Sequence, residues 1–159
     1  MSVVIREANK DDSGLILRFV KELAKYQNSE NEVLATESSI ENSIFAKDSP
    51  TKAVICEKKG EPIGFAVYFF NYSTWLGRHG LYLEDVYVTR TERGTGAGKC
   101  ILKYLAKIAL DNQCGRLEWS VLEWNEIAIE FYKSLGAKPK SEWIGYQLTG
   151  PELLSLAES

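Results

Sequence analysis

The stretch "TERGTGAGKC", Thr91 to Cys100, places Gly94, Gly96 and Gly98 at alternate positions between Arg93 and Lys99. The run before it, "LYLEDVYV", is rich in β-branched and aromatic residues and reads as a strand. The run after it, "KCILKYLAKIALDN", sets Ile101, Leu102, Leu105 and Ile108 on one side of a helix. A glycine-rich strand-to-helix corner constrains the fold strongly, because uncovered amides at a helix start carry partial positive charge and hold phosphate oxygens well. Two familiar phosphate loops fail on the letters. A nucleotide-hydrolase loop would align its Gly-Lys on Gly98 and Lys99, but needs glycine at Arg93 and a hydroxyl at Cys100. A dinucleotide turn begun at Gly94 and Gly96 finds Lys99 where its third glycine belongs, and no regular βαβ series surrounds it. What remains is R-x-x-G-x-G on Arg93, Gly96 and Gly98.

The rest of the chain supplies the elements around that corner. "VVIREA" reads as a strand and "DDSGLILRFVKELAKY" as a helix with Leu15, Phe19, Leu23 and Tyr26 along its apolar stripe. "TESSIENSIFA" predicts a second helix capped by Thr36, with Glu37 in its first turn. "TKAVICEKKGEPIGFAVYFF" predicts a hairpin turning at "KKGEP". Beyond the glycine corner, "LEWSVLEW" reads as a strand and "NEIAIEFYKSL" as a helix opened by Asn125 and stopped by Gly136. "EWIGYQL" reads as a closing strand and "PELLSLAE" as a last helix with Pro151 in its first turn. The predicted order is β-α-α-β-β-β-α-β-α-β-α, an α/β fold with a mixed sheet whose front half is antiparallel.

At 159 residues the chain suits a single domain over 1–159, large enough to bury about 70% of the surface its unfolded form exposes. Its formal charge of −3 argues against an extended nucleic-acid surface, and no apolar run reaches the length of a membrane span. The start, "MSVVIREANKDD", carries no basic-then-apolar pattern of a secretory signal, so a cytoplasmic location is expected. Cys56, Cys100 and Cys114 are odd in number and lack metal-ligand spacing, and His79 is the sole histidine, so no metal site is expected.

With the loop and a second segment together, the chain resembles the GNAT N-acetyltransferases. The R-x-x-G-x-G loop matches that family's first signature. In "NEIAIEFYKSLGA", Asn125, Ala128, Tyr132 and Gly136 match its N-x-x-A-x-x-x-Y-x-x-x-G pattern in the right order behind the loop. "FVKELAKY", "YLEDVYV", "RGTGAGKCILK", "EWNEIAIEFYKSLGA" and the Glu142-Trp143 pair extend the similarity to the diamine (spermidine/spermine) acetyltransferases and their thialysine-acetylating branch, over nearly the whole chain. The resemblance implies the GNAT (acyl-CoA N-acyltransferase) fold, a mixed, mostly antiparallel sheet flanked by helices. It also implies acetyl-CoA as acetyl donor, a small-molecule amine as substrate and a homodimer. By the same resemblance, Val86, Tyr87 and Val88 would offer strand backbone to pantetheine, and Arg93, Gly94, Thr95, Gly96, Ala97, Gly98 and Lys99 would grip the pyrophosphate. Asn125, Glu126, Ile127 and Ala128 would line the rest of the cofactor site. Tyr132 would face the departing sulfur and Glu84 would serve the amine as base. Tyr26, Gln27, Glu84, Asp85, Glu118, Trp119, Ser120 and Glu142 would surround the amine.

Elementary chemistry bounds these roles. An alkylammonium of pKa about 10.4 costs roughly 4.6 kcal/mol to neutralise at pH 7, and an ordinary carboxylate of pKa about 4.3 is a poor direct acceptor for that proton. A carboxylate that stays ionised, relaying the proton through water, can also attract the cation. A tyrosine of pKa about 10 does not hand its proton downhill to a thiolate of about 8.5, but a hydrogen bond to the developing sulfur charge lowers the barrier. Polyamine-specific members place acids where this chain has Gln27 and Ser73, and arginine where it has Ser134. The "YSTW" and "LEWN" stretches look like the thialysine branch instead. A lysine-like amino acid or a short amine is the expected substrate. The aromatic cluster Phe69, Phe70, Tyr72 and Trp75 reads first as core and second as a cation-binding wall, and is left out of the catalytic set. Two other readings stay open at this point: a protein N-terminal or lysine acetyltransferase, and a silent module that binds acyl-CoA.

Overall fold

The structure, a computed structural model, describes residues 2–159. It divides into two compact units, residues 1–120 and 121–159. In the first unit, β1 (Val3–Glu7), α1 (Ser13–Tyr26), α2 (Glu37–Ile44), β2 (Thr51–Lys58), β3 (Glu61–Ser73), β4 (Arg78–Val88), α3 (Ala97–Asp111) and β5 (Leu117–Glu118) follow in order. The five strands lie in one sheet in sequence order, β1-β2-β3-β4-β5. The first four pair antiparallel and β5 pairs parallel to β4. The predicted hairpin turns at Lys59 and Gly60, both at positive φ.

One face of the sheet takes α1 and α2. Ile16, Phe19, Ile40, Ala53, Ile55, Phe65, Val67 and Tyr87 form a core there, with Phe19 stacked on Phe65 at 5.5 Å between ring centroids. Each large side chain so buried contributes about 1.5–3 kcal/mol. Residues paired across strands share a face, so Val54, Cys56, Ala66, Tyr68 and Leu83 occupy the other one. The buried stripe of α3, Ile101, Leu102 and Leu105, belongs to that side. Burial and the neighbouring Cys100 of α3 raise the Cys56 thiol to about 11, so it is an inert packing group.

Local signals set the helix ends where the sequence places them. Thr36 caps α2 by accepting from Ser39 N at 3.0 Å, and Ser39 Oγ answers by accepting from Thr36 N at 2.9 Å. Helix α1 ends in a Schellman motif: Asn28 turns left-handed, Asn28 N donates to the Lys25 carbonyl and Ser29 N to that of Ala24.

The second unit holds α4 (Glu126–Ser134) and α5 (Gly150–Glu158). Asn125 caps α4, accepting from Ala128 N at 3.3 Å. Gly136, at φ 89°, stops it with the same motif, Ala137 N donating to the Tyr132 carbonyl. Two expected strands differ. The run from Leu117 pairs only through Leu117 and Glu118, and "EWIGYQL" forms no strand. Alternation alone does not make a strand; its backbone groups need a partner edge, and within residues 121–159 there is no described strand to provide one. Ile144 and Tyr146 stand 79% and 94% exposed.

Candidate active site

The ladder between β3 and β4 slips once. Val67 pairs with Asp85 and Tyr68 with Leu83, which leaves Glu84 as an extra residue on β4, a β-bulge. The bulge resets the alternation: Tyr82, Asp85 and Tyr87 share the α1/α2 face, with Tyr82 against Phe69 at 5.3 Å between rings. Glu84 itself stands exposed at the bulge. Asp85, paired with Val67 beside the apolar core, has its carboxyl pushed up to about 6, first by burial and then by the charge of Glu84.

The edge of β4 toward β5 is open above this point. The parallel pairing covers only Leu81–Leu117 and Tyr82–Glu118, and the ladder stops there. Beyond Tyr82 the β4 backbone has no strand partner on that side, and the Val88 carbonyl at its end accepts from Arg93 Nε at 3.0 Å; an unpaired strand edge is what strand-like recognition of an extended arm requires.

At the end of β4 the chain enters the glycine corner. Gly94 and Gly96 have φ 77° and 91°, a backbone that glycine adopts without strain, and Gly96 is the residue immediately before α3. Several contacts hold the loop in shape. Thr89 N donates to the Ile63 carbonyl at 2.8 Å, Lys58 Nζ pairs with Glu92 Oε2 at 2.9 Å, and Thr95 Oγ1 donates to the Glu92 carbonyl at 2.6 Å. Ala97 is buried beneath the start of the helix, whereas Gly94, Thr95, Gly96 and Lys99 are exposed. The first amides of α3 and the Lys99 ammonium are thus available to an anion, which fits a diphosphate.

Arg93, immediately before Gly94, reaches back to the end of β4 and to α1. Its Nε donates to the Val88 carbonyl at 3.0 Å, and its guanidinium lies 4.5 Å from the ring centroid of Tyr26 and 5.4 Å from that of Tyr87. Tyr87 donates its hydroxyl to Glu22 Oε1 at 3.0 Å, and Glu22 pairs with Arg18 at 3.3 Å. Burial, followed by the Glu22 contact, raises the Tyr87 phenol. Tyr26 and Gln27 sit at the Schellman corner of α1 described above.

Of the remaining amine-site candidates in this unit, Glu118 lies 2.9 Å from Arg116 Nε as an ion pair and 3.5 Å from Asn71 Nδ2. Ser120 Oγ is 3.0 Å from Tyr82 Oη. Trp119 is half-buried. Sequence reasoning passed over Tyr82, Glu22, Asn71 and Arg116. For Tyr82 a signal existed: apolar Leu83 and Val86 are three apart rather than two, the trace of a bulge. In the second unit, Asn125 is engaged as a cap, Glu126 and Ile127 are exposed in the first turn of α4, and Ala128 is half-buried. Tyr132 lies against Phe131 at 5.7 Å between rings, and Glu142 is exposed. Ser73, one of the two departures from polyamine specificity, is buried and accepts from Leu76 N at 3.1 Å, closing the β3–β4 turn.

Among the described residues no helix is long and apolar enough to cross a membrane, and no cluster of three or more His, Cys, Asp or Glu side chains gathers as for a metal.

The model of the acetyltransferase (GNAT) family matches residues 18–137. A thialysine N-epsilon-acetyltransferase from Sus scrofa is 38% identical over 167 residues, covering 98% of each chain. A spermidine/spermine N(1)-acetyltransferase-like protein 1 from Homo sapiens is 34% identical over 96% of this chain and 23% of its own length. Among solved structures, an integron cassette protein from the mobile metagenome of V. cholerae superposes with a TM-score of 0.82 at 31% identity, covering 100% of this chain and 99% of the other.

Proposed function

The chain belongs to the acetyltransferase (GNAT) family and is an acetyltransferase; from that premise we propose that it acetylates the primary amine of a small molecule, a lysine-like amino acid such as thialysine before a long polyamine, with acetyl-CoA as donor. The observation that carries this reading is the end-to-end likeness to the Sus scrofa thialysine enzyme. Local chemistry supports the preference. Gln27 is neutral, and the Ser73 hydroxyl is committed to its turn, so neither position offers an anion to the distant nitrogens of a polycation.

Acetyl-CoA supplies an activated thioester carbonyl. The residues of the chain do the rest in this proposal. The amides from Gly94 to Lys99 and the Lys99 ammonium bind the diphosphate, the backbone of Val86, Tyr87 and Val88 orients the pantetheine arm, and Asn125 to Ala128 complete the cofactor contacts. Glu84, exposed at the bulge, draws in the ammonium group and accepts its proton through water. Tyr26, Gln27, Asp85, Glu118, Trp119 and Ser120 of the first unit are amine contacts in this proposal, and Glu142 of the second unit is a further one. Tyr132 donates a hydrogen bond to the departing sulfur. We further propose a homodimer acting in the cytoplasm; the exposed apolar side chains of Ile144 and Tyr146 support a second copy as their cover.

The test is thiol release from acetyl-CoA across thialysine, lysine, putrescine, spermidine and a lysine peptide. Thialysine or lysine is expected to show a kcat/KM about tenfold or more above spermidine, an advantage worth about 1.4 kcal/mol. A peptide outrunning every free amine would establish a protein acetyltransferase instead. Tight cofactor binding with no thiol release for any acceptor would establish a sensor module.

A further inference from the structure

We infer that Arg93 is a positioning residue for the amine subsite, clasping the Tyr26 ring at the end of α1 to Tyr87 and Val88 of β4, and is not a ligand of the diphosphate. This rests on the function proposed above, which places Tyr26 and Gln27 beside the amine.

Four observations converge. The Nε–H of Arg93 is spent on the Val88 carbonyl, which fixes the guanidinium at the strand end. Its guanidinium carbon then lies near two rings, 4.5 Å from the Tyr26 centroid and 5.4 Å from that of Tyr87. Tyr87 is itself anchored, 8% exposed and bonded to Glu22 of α1, so the clasp joins a fixed strand to the last turn of a helix. That helix end carries the negative pole of its dipole, which favours a cation there. Tyr26 is more than a third exposed in the last turn of α1, two residues before the left-handed Asn28 that ends the helix. Without the guanidinium, the Tyr26 ring keeps its helix but loses this cation–ring contact with the end of β4. The loop's grip on an anion does not need this side chain: Gly94, Gly96 and the start of α3 supply amides, Lys99 supplies charge, and Lys58–Glu92 and Thr95 hold the loop's shape.

Arg93→Gln, Arg93→Lys, Tyr26→Leu and the double variant Arg93→Gln/Tyr26→Leu separate the two roles. Coenzyme A affinity is read by calorimetry and the amine KM by thiol release with thialysine. Arg93→Gln is expected to raise the amine KM by about fivefold while the coenzyme A Kd moves by less than about twofold, the size of one exposed cation–ring contact. Arg93→Lys, which keeps the charge but lacks the flat face, reproduces the amine defect and guards against a fold lost in the glutamine variant. The double variant is expected to be little worse than Tyr26→Leu alone, as residues acting through one contact are not additive. A coenzyme A Kd that rises more than the amine KM, a change in neither, or full additivity in the double variant overturns the clasp. If no amine is acetylated by the wild-type chain, the function falls separately. The clasp is then read from the Tyr26 ring resonances, which shift in Arg93→Gln if the guanidinium stacks on them and stay put if it does not.

Discussion

Asp85→Asn should make this protein more stable at neutral pH and less active. The folded state raises the Asp85 carboxyl from 3.8 to about 6, by burial first and by Glu84 second. A raised folded pKa means that the native chain holds the proton more tightly than the unfolded chain. Below about pH 4 the carboxyl is neutral in both states and costs nothing; the cost grows between about pH 4 and 6 and is complete above that. A shift of roughly two units at 1.36 kcal/mol each sets it at up to about 3 kcal/mol. An asparagine of the same shape carries no charge to desolvate, so it should recover most of that stability above pH 6 and none near pH 4. For a domain of this length the gain corresponds to a Tm rise of about 6–10 °C at neutral pH. Paired urea melts of wild type and variant at about pH 4 and about pH 7.5 measure it, and differencing them cancels carboxylates common to both, such as Asp12, whose pKa is held down by Arg6. Glu84→Gln, by removing the second cause, should recover a smaller part. A stability difference that is the same at both pH values, or a variant less stable at pH 7.5, refutes the reasoning: Asp85 would then be a paired structural acid. Activity lost while stability is gained would mark a group kept in place for its chemistry.

Tyr132→Phe should lower kcat by roughly tenfold to a hundredfold, the worth of a hydrogen bond to a charged atom, with coenzyme A affinity unchanged in calorimetry; equal turnover removes the role given to the phenol. Gly96→Ala should cost about 1–2 kcal/mol in thermal unfolding, because a Cβ at φ 91° is strained even though it would meet no atom within 4 Å, and should raise the KM for acetyl-CoA; an unchanged Tm contradicts the left-handed geometry of the loop. Gln27→Glu should improve spermidine use by about fivefold, the scale of a surface ion pair, and leave thialysine use nearly unchanged; no response would place Gln27 away from the distal nitrogen.

What the sequence disclosed and what it hid divide along the range of the interactions concerned. Thr36, Asn125 and Gly136 act on backbone within four residues, so their letters alone were enough to locate the ends of α2 and α4. The glycine corner was legible for the same reason: alternate glycines between a β-rich run and an apolar helical stripe leave little else for the backbone to do. Long-range consequences were not. One unpaired residue at Glu84 turns Asp85 onto the face of Tyr87 and Val67, and nothing local distinguishes that from an unbroken strand except the three-residue step from Leu83 to Val86. The closing strand failed in the opposite direction. "EWIGYQL" has a strand's composition, yet a strand is a relation between two edges, and sequence periodicity describes only one of them. Arg93 shows the same limit at the scale of a single side chain. The motif places it in a phosphate loop, and the letters do not show that its guanidinium lies 4.5 Å from the ring of Tyr26, sixty-seven positions earlier, with its Nε–H on the carbonyl that ends β4. A signature therefore fixes where the backbone of such a loop goes; where a long side chain of that loop spends its charge is decided by the elements folded against it.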